Sequence, residues 1–138
     1  MKLFEGLAQY RSQALGVLSI MTALQFIEHG TQKLFNFPPS AHAEALTGLA
    51  LTSGILEFAG GVLLALGLFT RPVAFLLCGE MSIVYFMAHM PRNFFPANNG
   101  GDAAILFCFV FLYLFFAGPG SFALDNRDSA RASSNIRA

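Results

Sequence analysis

Three glutamates stand where the surrounding sequence is apolar. Glu57 lies within SGILEFAGGVLLALGLFTRP and Glu80 within FLLCGEMSIVYFM, while Glu28 closes another apolar run with His29 and Lys33 just behind it. His89, Asn99 and Asp102 complete the candidates. Carboxyl groups kept from water can hold a proton or accept hydrogen bonds from a polar ligand, and imidazole and ammonium groups can donate to the same ligand. Two carboxyls at similar depth oppose each other's charge, which suits a proton site. The plainer alternative for Glu57 is a bond to Ser, Tyr or backbone of a neighbouring helix.

What those groups can do depends on the solvent around them. Of 138 residues, 55% are hydrophobic and 12% charged, which is more apolar surface than one small soluble core can hide. Sixteen phenylalanines add to the excess, because Phe scattered over a water-facing surface drives association. Laying windows of about twenty mostly apolar residues along the chain gives four segments, at about 12–30, 46–69, 72–90 and 102–117. An acid at mid-membrane costs about 2.5–3.5 kcal/mol and each central Leu, Ile, Phe or Val returns about 0.3–0.6, so roughly ten of them cover one acid. The expected fold is therefore all-α: a transmembrane four-helix bundle over residues 1–124, with a polar cytoplasmic tail over 125–138. A soluble, very apolar helical bundle is the alternative. A cleavable signal peptide fits the first segment less well, since QFIEHGTQKLF ends it with charges and without small residues for cleavage.

Four spans put both termini on one side. Lys2, Arg11, Arg71, Arg127, Arg131 and Arg137 share that side against Lys33 and Arg92 on the other, so the positive-inside bias makes the termini cytoplasmic. Counted inward from the outer face, Glu57 and Glu80 are about eleven and ten residues deep, roughly 15 Å. Glu28, His29, Lys33, His89, Asn99 and Asp102 then sit at the outer rim above them. Ser19, Thr22, Gln25, His29 and Gln32 recur on one face of the first span, and Ser53, Glu57 and Gly61 on one face of the second. Gly54, Gly60, Gly61 and Gly67 provide the small-residue surface on which membrane helices pack. Glu80 and His89 are about 180° apart on an ideal helix, so only an irregular helix brings both to one cavity.

Other chemistry is weakly signalled. His29 and His89 with Glu28 and Asp102 lack the spacing of a metal site, so no metal is expected. Cys78 falls toward the cytoplasmic end of its span and Cys108 toward the outer end of its own, which makes a bridge between them geometrically poor. The chain has no CxxC, phosphate loop, nucleophile elbow or haem-attachment motif, and no net charge or basic stripe to suit a nucleic acid.

HGTQKLF, ILEFAGGVLLALGLFTRPVAFLL and NNGGDAAILFCFVFLYLFFAGPGSFALD, in that order across about Gly16 to Asp125, resemble the DoxX family of small four-helix bacterial membrane proteins. Asp102 stands where that family often has Glu, and FNF replaces a glycine after KLF. The resemblance implies a multi-pass protein of the bacterial inner membrane, tied to thiosulfate or quinone oxidation or to oxidative-stress complexes. It brings no agreed catalytic residues. The leading expectation is an accessory subunit or anchor without a redox cofactor of its own, offering a polar pocket to a quinone or small sulfur compound. Soluble or membrane redox proteins are the expected partners beside the lipid bilayer, with further copies of the chain as an additional prospect. A small proton-coupled transporter using Glu57 and Glu80, or a non-catalytic scaffold, are the alternatives.

Overall fold

A computed structural model describes residues 2–40 and 47–126, and every regular element among them is helical. Residues 41–46, and the tail arginines Arg127, Arg131 and Arg137, lie outside the described residues. After a 3₁₀ segment, Lys2–Tyr10, come α1 (Arg11–Phe35), α2 (Gly48–Leu66), α3 (Thr70–Val84), a π turn (Tyr85–His89), α4 (Pro96–Asn99) and α5 (Asp102–Ala117).

The element ends follow from local chemistry. Asn36 ends α1 in the left-handed conformation, where its N–H reaches the Gln32 carbonyl. The Thr47 side chain accepts from the Ala50 N–H to open α2, and Gly67, at φ 64°, closes it. The N-terminal amides of α3 are met from far along the chain: the Asp125 carboxylate accepts from Phe69 and Thr70 N–H, both at 3.1 Å. Arg71 in turn donates to the Phe115 and Phe116 carbonyls at 2.7 and 2.6 Å, satisfying the last turn of α5. Asp125, expected to begin a solvated tail, is thus built into the α2–α3 corner.

Helix α1 packs on α2, α3 packs on α5, and α2 against α3 joins the two pairs. Backbones approach closely where side chains are missing. A Cβ on Gly30 would lie 2.5 Å from the Phe58 nitrogen, and one on Gly61 would lie 2.7 Å from Ile27. Gly54 meets Lys33 and Leu34, Gly60 meets Leu77, and Gly67 sits against Ala123. Phe26 stands edge-on to Phe107 and Phe111, at 5.3 and 4.8 Å, in the middle of the core with Leu64, Leu77, Met81 and Leu114.

Beside this apolar core, several polar groups are buried and many large apolar side chains are exposed. Ser19, Thr22, Glu57, Thr70, Glu80 and Asn99 are buried, whereas Met21, Leu24, Ile55, Phe75, Leu76, Ile83, Leu106, Phe109 and Phe116 are exposed. Among the described residues, two helices are long and apolar enough to cross a membrane, Gly48–Leu66 and Thr70–His89. Only 28% and 22% of their most apolar windows are buried within the chain, so their apolar surface mostly faces outward, unlike that of a soluble core helix. Helix α5 is apolar but only 16 residues long.

One expectation is overturned. Cys78 and Cys108 are not at different levels: their sulfurs lie 3.6 Å apart across the α3–α5 interface. Cys78 is eight residues from Thr70, where α3 starts, and Cys108 is nine from Ala117, where α5 ends. Arg71 ties those two ends together. In so short a helix, depth counted from the other end was misleading.

Candidate functional site

A cavity of about 640 Å³ opens at the end of the molecule where α1 and the π turn finish and α2 and α5 begin. Its polar lining comes from His29, Gln32, Lys33, Asn36, Glu57 and His89, and its apolar wall from Phe26, Phe35, Met81, Val84 and Phe107. The volume lies within the range of small-molecule sites, roughly 300–1,000 Å³.

Lys33 and Glu57 are its electrostatic centre. Lys33 Nζ donates to Glu57 Oε1 at 2.6 Å and to Ser53 Oγ at 2.8 Å, and the Ser53 hydroxyl donates to the same carboxylate oxygen at 3.3 Å. Sequence depth placed Lys33 at the rim and Glu57 far below it. The helices are instead offset: Lys33 Cβ lies against the bare backbone of Gly54, so Glu57, one turn further along α2, comes within reach of the ammonium. The Glu57 side chain is 3% exposed and that of Lys33 is 30% exposed, so the pair has a dry end and a wet end.

Glu80 approaches the same cluster from α3, facing Ser53 and within electrostatic reach of Glu57 and Lys33. Ser53 is already committed to Lys33 and Glu57, and neither Glu80 oxygen has a partner at hydrogen-bond distance. Glu57 Oε2 is likewise unpartnered. Two buried carboxyls therefore face one ammonium. A proton or a hydrogen-bond donor is needed to make up the difference.

His89 reaches the cavity because its helix is irregular. The π turn uses an extra residue per hydrogen bond, as in Met90 N–H to the Tyr85 carbonyl at 2.9 Å, and this rotates His89 from its ideal α-helical direction. His89 Nδ1 lies 3.1 Å from the Asn99 carbonyl, which can only accept, so Nδ1 carries a hydrogen and Nε2 is the ring nitrogen left for a ligand. Asn99, buried, shapes the loop that supplies this carbonyl: its amide donates to Asn93 O and its side-chain oxygen accepts from Gly101 N–H. His29 stands edge-on to Phe107 at 5.8 Å.

The remaining candidates separate. Glu28 and Asp102 are exposed and do not line the cavity, and Asn99 acts through its backbone rather than through its amide group. Sequence reasoning missed the apolar wall, because Phe26, Met81 and Phe107 look like ordinary core residues. It also missed Asn36, for which the signal was an Asn directly after a helix that ends in KLF.

An uncharacterized protein of Haemophilus influenzae is 42% identical over 127 residues, spanning 88% of this chain and 95% of that one. No solved structure matches. The DoxX family profile matches residues 14–90, a stretch that holds α2, α3, the π turn and most of α1, and with them Lys33, Glu57, Glu80 and His89. By this profile, which covers more than half of its length, the chain belongs to the DoxX family, whose members are membrane-associated.

Proposed function

We propose that this chain is a multi-pass protein of the bacterial inner membrane in which α1, α2, α3 with its π turn, and α5 form a four-helix transmembrane bundle. Both termini are cytoplasmic and the cavity opens outward. The exposed apolar faces support the spans, and the position of Arg71 at the end remote from the cavity supports the orientation. In this reading the protein is an accessory subunit of a redox or oxidative-stress system that offers its cavity to a quinone.

The observation that carries the reading is the division of the cavity into a polar mouth and an aromatic wall. A quinone is divided in the same way. Its carbonyl oxygens accept hydrogen bonds, and an ammonium has three donors, of which Lys33 uses two within the cluster. Its ring and tail suit Phe26, Phe107, Met81 and Val84. Reduction to the quinol requires two protons, for which Glu57 and Glu80 form a nearby relay, while a partner redox protein supplies the electrons. A small sulfur anion such as thiosulfate would use Lys33 alone and leave the aromatic wall idle.

The test is titration of the detergent-purified protein with a short-chain benzoquinone, together with extraction of co-purifying lipids. Bound quinone is expected, with affinity at least about tenfold weaker in Lys33→Met, which removes a charged hydrogen bond. Absence of binding, or equal affinity in that variant, refutes the assignment. The two unpartnered carboxyls favour a second reading, a proton-coupled carrier. Unchanged uptake by proteoliposomes carrying Glu57→Gln with Glu80→Gln would remove it.

A further inference from the structure

Cys78 and Cys108 are the only cysteines of the chain, and the fold brings them together from α3 and α5 with 3.6 Å between their sulfurs. Ser82, one turn after Cys78, completes the group. Its hydroxyl lies 3.0 Å from the Cys78 carbonyl, to which it donates, and 3.3 Å from Cys108 Sγ. The Cys108 thiol has two acceptors within reach, Ser82 Oγ and the Cys78 carbonyl at 3.6 Å, and both hold that sulfur over its neighbour. A disulfide is about 2.05 Å long, so closure needs an approach of about 1.5 Å.

Access and depth define what could oxidise the pair. Both cysteines are half-buried, and the position next to Cys78 is Gly79, whose missing side chain leaves open space on the outer surface of α3. Exposed Phe75, Leu76, Phe109 and Leu112 flank the spot. Eight residues from the start of α3 correspond to roughly 12 Å of helix, about midway through a hydrocarbon layer of about 30 Å. Among the described residues, no charged group bonds either sulfur. A reactant for this site must therefore dissolve in hydrocarbon and carry its oxidising group at the depth of a lipid acyl chain.

We propose that Cys78 and Cys108 are a dithiol site that reduces organic hydroperoxides of the lipid-acyl class and closes to a disulfide joining α3 to α5. One thiol attacks the terminal peroxide oxygen while its proton passes to the departing inner oxygen. The O–O bond breaks, the protonated inner oxygen leaves as an alcohol, and a sulfenic acid remains. The second thiol attacks that sulfur, the S–S bond forms and water leaves. In sum, one hydroperoxide and two thiols give one alcohol, one water and one disulfide, with two electrons passing from sulfur to oxygen. A dithiol reductant returns the site to its starting state. The proposal rests on the bilayer setting proposed above, but not on the quinone cavity.

The experiment uses the full chain in membrane vesicles, treated with cumene hydroperoxide or with the same concentration of hydrogen peroxide. After denaturation, the expected product has lost both maleimide-reactive thiols and the mass of two hydrogen atoms, runs as a monomer on a non-reducing gel, and regains both thiols with dithiothreitol. One cumene hydroperoxide is consumed per chain. Because the apolar peroxide partitions to the site, its reaction should be at least about tenfold faster than that of hydrogen peroxide. Cys78→Ser and Cys108→Ser should each stop at oxygen adducts of the remaining cysteine. Retention of both thiols, disulfide-linked dimers as the product, or equal rates with the two peroxides overturns the proposal. Alkaline extraction of the same vesicles separates two failures: unreacted thiols in a chain that stays in the membrane refute the dithiol site alone, whereas release of the chain refutes the bilayer setting on which it depends.

Discussion

Replacing Lys33 with Met should reveal how the cavity is held. The substitution keeps the length of the stem and removes the ammonium that contacts Glu57 at 2.6 Å, leaving that oxygen with Ser53 at 3.3 Å. Breaking a buried ion pair from one side costs about 3–5 kcal/mol, because the abandoned charge stays buried. Lys33 keeps 30% of its side-chain exposure, so the pair is partly solvated and the lower end, about 3 kcal/mol, is expected. Glu57→Gln is asymmetric with this. It leaves a lysine that can turn its head to water, and should cost about 1 kcal/mol. In the double variant neither charge is left stranded, so the combined cost should fall about 2–3 kcal/mol short of the sum. Far-UV circular dichroism during reversible unfolding in mixed micelles provides all four stabilities. Coupling below about 0.5 kcal/mol, or a greater cost for Glu57→Gln than for Lys33→Met, would show that no buried carboxylate depends on Lys33.

Glu80→Gln removes a carboxyl whose oxygens have no hydrogen-bond partner, so stability in the same titration should stay within about 0.5 kcal/mol or rise. Gly30→Ala drives a Cβ toward the Phe58 backbone and should cost about 1–3 kcal/mol. Gly79→Ala, which meets open space, should gain up to about 1 kcal/mol from helix propensity. Asp125→Ala strips the cap from α3 and should lose about 1 kcal/mol in thermal or detergent unfolding.

What was legible in the sequence is what composition and period encode. The all-α character could be read from apolar segments and the family from motifs of which two, HGTQKLF and ILEFAGGVLLALGLFTRPVAFLL, lie within the matched residues 14–90; the shared face of Ser53 and Glu57 followed from a four-residue step. Depth was harder to read, because it requires knowing where each helix begins relative to its neighbours. Counted along the sequence, Lys33 falls at the rim and Glu57 at the midplane; an offset at Gly54 joins them. The same count sets Cys78 and Cys108 far apart, whereas the Arg71 contact aligns the ends from which they should be counted. The segment YFMAH contains no proline or glycine to announce a distortion, so the π turn that aims His89 could be stated only as a condition.

These failures share a cause that bears on function. Periodicity along one helix is set by its own residues, but register between helices is set by a few close contacts. In this chain those contacts are glycines, a guanidinium on two carbonyls and a carboxylate on two amides. Arg71 and Asp125 lie at the end remote from the cavity, yet they fix the levels of α3 and α5 and hence the distance between the two thiols. Loss of Arg71 should therefore slow disulfide closure while sparing the Lys33–Glu57 pair, which depends on the contact between α1 and α2. If Arg71→Ala instead weakens both to the same extent, the two helix pairs do not keep register independently, and the cavity and the thiol site cannot be treated as separate units.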